Sequence, residues 1–299
     1  MDTTYEVIII GGSYAGLSAA LTLGRSLRKT LVIDAKKPCN EPTPHSHNFL
    51  TQDGVTPSEI AATAKAQVEK YDTVHFLDGV AIQGIQTAGG FKVTTQAGEH
   101  FSAKKLIFAT GLKDLMPDID GFAECWGKSV LHCPYCHGYE VHHQPTGIIA
   151  NGEKANHYAI LISNWTKNLT LFTNGPSTLT DEQAKKIVAH GIAIVETPIE
   201  KLVHKKGQIK ELKLIGGTGH KLSAIYSSAP TVQHSAIPET LGCGLSDEGL
   251  ITVDEFQCTT VPGVYACGDN SNFRSVALAV SSGLIAGVVT NKVLIEEEF

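Results

Sequence analysis

The sequence predicts an α/β protein with two strand–turn–helix units of the nucleotide-binding type. The first observation is an apolar, β-branched run at residues 5–10 that leads straight into a glycine-rich turn. The second is a similar run at residues 147–150, also followed by a turn and a helix-like segment. Continuous apolar runs of this length are typical of buried strands in parallel sheets. The third is the length of 299 residues, which is enough for two domains of roughly 100–200 residues each.

Composition and charge limit the partners that the chain can have. Hydrophobic residues make up 42% of the sequence and charged residues 18%, as in an ordinary soluble globular protein. The net charge of -6 argues against a nucleic-acid partner, which would need a basic face. The N-terminus has no basic segment before its short apolar run, so we expect no signal peptide. The apolar stretch Val276–Val289 is interrupted by Ser281-Ser282-Gly283 and is shorter than the roughly 20 residues of a membrane span. We therefore expect a cytoplasmic protein without a membrane partner.

The first unit has the full context of a dinucleotide fingerprint. Residues 11–16 read Gly-Gly-Ser-Tyr-Ala-Gly, with serine in place of the middle glycine, and a helix-like segment follows at residues 17–27. The next strand, residues 30–33, ends at Asp34. Glycines permit a tight turn and a close approach of the backbone to a pyrophosphate, and an acid at this spacing can bind a ribose hydroxyl. Strand, turn, helix, strand and acid together predict a bound dinucleotide.

The second unit carries only a degenerate version of that fingerprint. Its turn, residues 150–155, begins with Ala150 where the first glycine would stand. The following strand, Leu169–Phe172, ends in Thr-Asn-Gly. This end offers neither an acid for a ribose hydroxyl nor an arginine for a 2′-phosphate. Further along, residues 180–183 predict a capped helix and residues 211–226 a hairpin.

The cysteine pattern points to chemistry at one place in the chain. Seven cysteines without a secretory signal do not suggest a disulfide framework. Only Cys133 and Cys136 are paired, in the stretch His-Cys-Pro-Tyr-Cys-His. This spacing fits a redox dithiol, a c-type haem attachment site, half of a zinc site, or two buried free cysteines in a turn. A cytoplasmic location disfavours the haem interpretation.

Taken in order, these motifs resemble the thioredoxin-reductase class of flavin disulfide oxidoreductases. The resemblance covers nearly the whole chain and rests on the N-terminal glycine turn, Asp34, Asn48 before Phe49, Ala109-Thr110-Gly111, the cysteine pair, and Gly268-Asp269 before the last helix. It implies two Rossmann-like domains of three layers each, the second inserted into the first. FAD would be bound by residues 1–112 and 235–299, and residues 113–234 would carry the cysteines and, as is usual in the family, a nicotinamide site. A homodimer is also implied.

The resemblance assigns roles to individual residues. Cys136 would be the sulfur next to the flavin and Cys133 the sulfur that exchanges with substrate. Independently of the resemblance, we expect His137 to be the acid–base group, with Glu140 either orienting it or simply exposed. A histidine of ordinary pKa near 6.5 suits that task. No metal is expected, so His132, His142 and His143 need no ligand role, and His45 and His47 are expected to be structural. The predicted cofactor-binding residues are Gly11, Gly12, Ser13, Gly16, Asp34, Asn48, Val80, Ala109, Thr110, Gly111, Gly268, Asp269, Ser275 and Val276.

Two departures separate this chain from a standard thioredoxin reductase. The family usually has aspartate directly after the second cysteine, whereas this chain has His137. Cys-x-x-Cys-His-Gly is similar instead to the dithiol oxidases that close the disulfide of epidithio natural products such as gliotoxin and holomycin, with oxygen as electron acceptor. The second departure is the eroded nicotinamide motif. We therefore expect an FAD-dependent dithiol oxidase acting on a small dithiol or a thioredoxin-like protein. An NAD(P)H-dependent, thioredoxin-reductase-like disulfide reductase and a flavin-binding redox sensor with little turnover are the alternatives.

Overall fold

The computed structural model describes residues 4–299, which form seventeen strands and eight helices. The strands are β1 Thr4–Ile10, β2 Thr30–Asp34, β3 Val74–Asp78, β4 Ala81–Thr87, β5 Gly90–Thr95, β6 His100–Phe108, β7 Leu112–Asp114, β8 Val130–Leu131, β9 Thr146–Ile149, β10 Leu169–Phe172, β11 Ala193–Val195, β12 Ile199–Lys205, β13 Gln208–Leu214, β14 Gly219–Lys221, β15 Ala224–Ser227, β16 Thr231–Gln233 and β17 Val264–Ala266. The helices are α1 Tyr14–Arg25, α2 Pro57–Val68, α3 Phe122–Cys125, α4 Pro134–His137, α5 Gly152–Ile162, α6 Asp181–Ala189, α7 Ile237–Thr240 and α8 Val276–Glu298.

The chain divides into two compact units. The first contains the described residues up to Glu41, Pro57–Asp114 and Thr231–Phe299. The second contains Leu115–Pro230 together with the loop Pro42–Thr56. The domain boundaries that the sequence suggests, at residues 112 and 235, stay a prediction. The sequence gave no reason to group the loop Pro42–Thr56 with the segment that carries the cysteines.

The first unit is built on a seven-stranded sheet with the order β3-β2-β1-β6-β5-β4, to which β17 is added beside β6. Strands β1, β2, β3, β6 and β17 are parallel to their neighbours in this set, while β4 and β5 are antiparallel. Strand β1 covers the run predicted at residues 5–10, and it pairs with β2 from Val7↔Thr30 to Ile10↔Ile33. All five parallel strands therefore end at one edge of the sheet, which is where ligands bind in doubly wound folds.

Helix α8 packs closely along α1. A Cβ placed on Gly283 would overlap the carbonyl oxygen of Ala15, and one on Gly287 would lie 3.0 Å from the carbonyl oxygen of Ala19. Helix α8 contains the apolar stretch Val276–Val289, continues to Glu298 and has 23 residues. By length and composition alone it could cross a membrane. Its buried residues are mostly small.

The second unit contains the other strand–turn–helix motif. Its five-stranded sheet has the order β11-β10-β9-β15-β8, with every pair parallel. The predicted hairpin forms between β13 and β14, but it ends at Lys221. The expectation that it reaches Tyr226 was wrong, since β15 turns away and joins β9 and β8 in the parallel sheet. The capping box of α6 is present, with Thr180 and Gln183 each bonded to the other's backbone.

Candidate redox site and cofactor-binding edge

The turn after β1 is as tight as its glycines predict. Gly11 has φ +108°, a conformation that only glycine adopts readily. A Cβ on Gly11 would overlap the carbonyl oxygen of Ala109, and a Cβ on Gly16 would overlap that of Gly11. Because Gly11 and Gly16 have no side chain, α1 can start directly after β1.

Asp34 closes the same turn from the next strand. Its carboxylate accepts a hydrogen bond from the backbone N–H of Gly12 at 3.1 Å. Its own carbonyl accepts from the N–H of Gly79 at 2.9 Å, which places Val80 beside the carboxyl end of β2. This arrangement brings the predicted ribose-binding acid to the N-terminal end of α1, where a dinucleotide phosphate would sit.

A buried charge cluster occupies the other part of this edge. Arg274 makes a two-point contact with Asp114, at 2.7 and 3.3 Å, and its Nε lies 3.7 Å from a carboxylate oxygen of Asp269. The pKa of the Asp269 carboxyl is raised, chiefly by burial. Burial and the neighbouring Asp269 also raise the pKa of Cys39 to about 11, so this thiol is unreactive at neutral pH.

One residue at this edge was missed by the sequence analysis. Asn270 is fully buried, and its amide donates to the carbonyl of Phe108 at 2.9 Å and to the hydroxyl of Thr110 at 3.2 Å. It thereby fixes the loop after β6 to the segment after β17. Its position directly after Gly268-Asp269 could have indicated that it belongs to this edge of the sheet.

The structure brings the predicted cofactor residues, apart from Asn48, to the carboxyl ends of the parallel strands or to the start of α8. These residues are Gly11, Gly12, Ser13, Gly16, Asp34, Val80, Ala109, Thr110, Gly111, Gly268, Asp269, Ser275 and Val276. Asn48 belongs to the second unit. There its N–H donates to Asp53 at 2.7 Å, with φ +58° at Asn48.

The cysteine pair lies at the start of α4 in the second unit. Cys133 is the N-cap residue, Pro134 is the first helical residue, and both cysteines are free thiols. The pKa of Cys133 is lowered to about 7. The first cause is a hydrogen bond from the Cys136 side chain, and the backbone N–H groups of Cys136 and Tyr135 add to it against the opposing effect of burial. Cys133 is therefore substantially a thiolate at neutral pH, the form that exchanges with disulfides.

His137 is held in its neutral form next to this pair. Its pKa is lowered, first by burial and then by the nearby His47, while Glu140 acts in the opposite direction. A neutral imidazole can accept a proton from a thiol.

His47, which the sequence analysis expects to be structural, lies between two acidic residues. Its Nε2 lies 3.4 Å from Glu140 and its Nδ1 lies 3.6 Å from Asp53. Backbone bonds between Ser46 and its partners Val55 and Gly54, both 2.8 Å, close the loop that carries it. His47 thus links this loop to Glu140, which lies three residues after α4. Residues 42–56 are far from the cysteines in the sequence, so their place in the second unit could not be inferred from the sequence.

Two exposed tyrosines lie on or just after α4, the helix that contains Cys136. Tyr135 is 62% exposed and meets Trp165 edge-on, with ring centroids 5.4 Å apart. Tyr139 is 77% exposed and stacks on His142 at 5.1 Å. Among residues 4–299, no group of three or more histidine, cysteine or acidic side chains is arranged to hold a metal ion.

The turn after β9 differs from the turn after β1, because a side chain fills it. Asn151 caps α5, and its Oδ1 accepts hydrogen bonds from the N–H groups of Gly152 and Thr178 at 2.9 and 2.8 Å. Its Nδ2 donates to the carbonyl of Pro176 at 2.9 Å. At the end of β10, the Asn174 side chain accepts from the N–H of Ile199 at 2.8 Å. Asn151 therefore bonds to the first residue of α5 and to the loop at residues 176–178.

A glycine-cradled cofactor edge and a low-pKa dithiol, each on its own α/β unit, define the class of flavin-dependent disulfide oxidoreductases. Comparison with known proteins names the family. The model described as pyridine nucleotide-disulphide oxidoreductase matches residues 5–283, and the chain belongs to this family. The predicted fold class and the thioredoxin-reductase-like resemblance are thus confirmed.

Several individual proteins are similar over almost the whole chain. Thioredoxin reductase tcpT of Claviceps purpurea is 33% identical, across 98% of this chain and 95% of its own. Among solved structures, an oxidoreductase from Agrobacterium tumefaciens is 37% identical with a TM-score of 0.92, covering 99% of both chains. The structure of HlmI is 32% identical with a TM-score of 0.94, covering 100% of this chain and 95% of that one.

Proposed function

We propose that this protein is an FAD-dependent dithiol oxidase that passes electrons from a small dithiol, through Cys133 and Cys136, to FAD and then to oxygen. The observation that carries the choice of oxygen over a nicotinamide is the Asn151 side chain in the turn after β9. A nicotinamide dinucleotide would need the backbone groups of this turn for its pyrophosphate. A cytoplasmic, homodimeric protein that acts without a membrane or nucleic-acid partner belongs to the same proposal.

The first unit fits FAD on its own geometry. The glycines at positions 11 and 16 leave backbone where any Cβ would collide, and Asp34 stands at the end of β2 beside them. Gly11, Gly12, Ser13, Gly16 and Asp34 would hold the adenosine diphosphate part. Val80 and residues 109–111 would line the cofactor, and Gly268, Asp269, Ser275 and Val276 would face the ribityl chain and the ring. FAD, when bound, supplies a two-electron acceptor for the reduced dithiol and returns those electrons to oxygen.

The chain's own residues perform the thiol exchange. One substrate thiolate attacks Cys133 in the disulfide form of the pair, the bond between the two cysteines breaks, and its electron pair leaves on Cys136. The second substrate thiolate then attacks the substrate sulfur bonded to Cys133. That bond breaks with its electron pair on Cys133, so the substrate leaves as a disulfide and the cysteine pair is reduced by two electrons.

The lowered pKa values of Cys133 and His137 support the roles of leaving group and proton acceptor. A thiol with a pKa of about 7 is a good leaving group, and Cys133 has that pKa. Neutral His137 is suited to take the proton from the substrate thiol, because burial keeps its pKa low. The exposed rings of Tyr135 and Tyr139 offer an apolar surface beside the sulfurs for a small ligand.

The test is anaerobic mixing of the purified flavoprotein with dithiothreitol, NADH and NADPH in separate runs, with flavin absorbance as readout. We expect bleaching by the dithiol, reversal by air with release of peroxide, and no bleaching in Cys136→Ser. Rapid bleaching by NADPH would instead establish a disulfide reductase, in agreement with the names of relatives such as tcpT. A protein that none of the three reduces would act as a redox sensor.

A further inference from the structure

The short segment after β2 contacts two other parts of the cofactor edge in the first unit. Residues 38–40 read Pro-Cys-Asn and begin four residues after Asp34. Cys39 and Asn40 are both half-buried, and neither is among the cofactor-binding residues that the resemblance predicts. Their hydrogen bonds nevertheless reach the two stretches of chain on either side of the expected FAD site.

The thiol of Cys39 donates a hydrogen bond to Asp269. Its Sγ lies 3.6 Å from Oδ2 of this acid, although the two residues are 230 positions apart in the chain. The Nε of Arg274 lies 3.7 Å from the same oxygen, and its Nη1 donates to Asp114 at 2.7 Å. A thiol and a guanidinium therefore converge on one oxygen of Asp269, and neither of these two contacts uses the other oxygen, Oδ1.

The protonation states of the two groups suit this bond. Burial and then the charge of Asp269 raise the pKa of Cys39 to about 11, so the thiol keeps its proton and remains a donor at neutral pH. Burial raises the pKa of Asp269, whereas Arg274 and the Cys39 thiol act in the opposite direction. The thiol thus favours the carboxylate form of Asp269, because a hydrogen bond to the charged form stabilises that form.

The next residue fixes the same segment to the glycine-rich turn. The Nδ2 of Asn40 donates to the hydroxyl of Tyr14 at 3.1 Å, and that hydroxyl donates to the carbonyl of Pro57 at 3.2 Å. Tyr14 is the first residue of α1 and part of the turn at residues 11–16. Two neighbouring residues therefore bond to the start of α1 and to the acid after β17, and so hold the segment at a defined place on the cofactor edge.

We propose that Cys39 is a positioning residue of the FAD site, which holds the Asp269 carboxylate in place through the hydrogen bond from its thiol. This role rests on the proposed function, because it requires that Asp269 binds FAD. A carboxylate that two groups already hold loses little further freedom when it binds a ligand hydroxyl, so less of the binding free energy is spent on ordering it. Without the thiol donor, Asp269 keeps only part of this support and binds FAD more weakly.

The test is titration of the flavin-free protein with FAD at neutral pH, followed by the change in flavin fluorescence. Cys39→Ala should raise the dissociation constant about fivefold, the effect of one net hydrogen bond. Cys39→Ser keeps a donor at the same position and should bring the dissociation constant back to within about twofold of that of the unaltered protein. The rescue by serine separates a role in hydrogen bonding from a role in packing, since alanine and serine both lack the sulfur.

Cys243→Ala is the matched control, because it removes a similar thiol hydrogen bond from the same unit. Cys243 is buried, burial raises its pKa, and its Sγ lies 3.5 Å from the hydroxyl oxygen of Thr259. It belongs to an apolar core cluster and not to the cofactor edge. We expect its affinity for FAD to stay within about twofold of that of the unaltered protein, and the two flavin-free alanine variants to unfold at similar temperatures.

Several outcomes would overturn the role of Cys39. These are an unchanged affinity in Cys39→Ala, the same loss in both alanine variants, no rescue in Cys39→Ser, or a flavin-free Cys39→Ala protein that is far less stable than Cys243→Ala. The titration uses neither a dithiol nor oxygen, so failure of the flavin-bleaching test would leave its result standing. An unaltered protein that binds no FAD would instead overturn the proposed function, and the role of Cys39 together with it.

Discussion

The turns after β1 and after β9 occupy equivalent positions in the two units, but different groups bond to their backbone. Both connect a buried parallel strand to a helix. In the first turn, glycines exclude side chains, and the N-cap residue Ser13 makes no side-chain hydrogen bond to α1. In the second, the N-cap residue Asn151 bonds to Gly152 and to Thr178 on the neighbouring loop. In the first turn the Gly12 N–H donates to Asp34 and no side chain caps α1, whereas in the second turn the Asn151 side chain accepts the N–H of Gly152, the first residue of α5.

The difference shows that a nucleotide-type fold does not by itself make a nucleotide site. The strand and helix of the second unit are intact, yet the Asn151 side chain occupies the turn and accepts the N–H of Gly152, the first residue of α5. The chemistry of this unit lies elsewhere, at α4, where the backbone N–H groups of Cys136 and Tyr135 stabilise a thiolate.

The largest expected effect comes from adding one methyl group to the first turn. In Gly16→Ala, the new Cβ would overlap a backbone carbonyl, which cannot move away as a side chain can. We expect the free energy of unfolding to fall by about 3–5 kcal/mol and the purified protein to lose its flavin. Urea denaturation and the flavin-to-protein absorbance ratio measure both.

Gly152→Ala makes the same change in the second turn. Gly152 has φ +56°, and its Cβ would lie 2.9 Å from the Thr178 side chain, which can rotate. The expected loss is about 1–2 kcal/mol from the left-handed backbone, with normal flavin content. Gly89→Ala, in open space, controls for the substitution itself. Equal flavin loss at positions 16 and 152 would refute the comparison.

The next largest effect concerns the thiolate of the second unit. At pH 7, a thiol with a pKa of about 7 is half ionised, about fifty times more than one with a pKa of 9.0. We therefore expect alkylation of Cys133 to rise through pH 7, and to be slow at pH 5. Cys267, whose pKa burial raises to about 12, serves as the internal control. A midpoint near pH 9 for Cys133 would remove the basis for its leaving-group role.

A smaller effect is expected when the second turn loses its amide. Asn151→Ala removes the cap of α5 and the bonds to Thr178 and Pro176. Loss of a helix N-cap of this kind costs about 1–2 kcal/mol, and dithiol oxidation should continue at its normal rate. Urea denaturation and the rate of flavin bleaching by dithiothreitol test the two statements. An unchanged stability would mean that the side chain does not hold the turn.

The sequence was sufficient for the elements whose residues are local in the chain. The glycine turn, the capping box at Thr180 and the cysteine pair could be recognised from short patterns, because each depends on neighbours a few residues away, and Asp34 could be recognised from its fixed spacing to the glycine turn. The contact of His47 could not be recognised in this way. His47 meets Glu140 from a loop about ninety residues earlier in the chain, so the two residues are close only in space.

The smallest effect is expected at Ser13, and it is the sharpest check on the comparison between the two turns. Ser13 and Asn151 occupy the same position, the residue before the helix, but the Ser13 side chain makes no cap bond. Ser13→Ala should therefore change the free energy of unfolding of the flavin-free protein by less than about 0.5 kcal/mol, whereas its affinity for FAD should fall. Denaturation of the flavin-free protein and FAD titration separate the two effects. A loss of stability as large as that of Asn151→Ala would show that the first turn, too, depends on its own side chain, and that its donors are not reserved for a ligand.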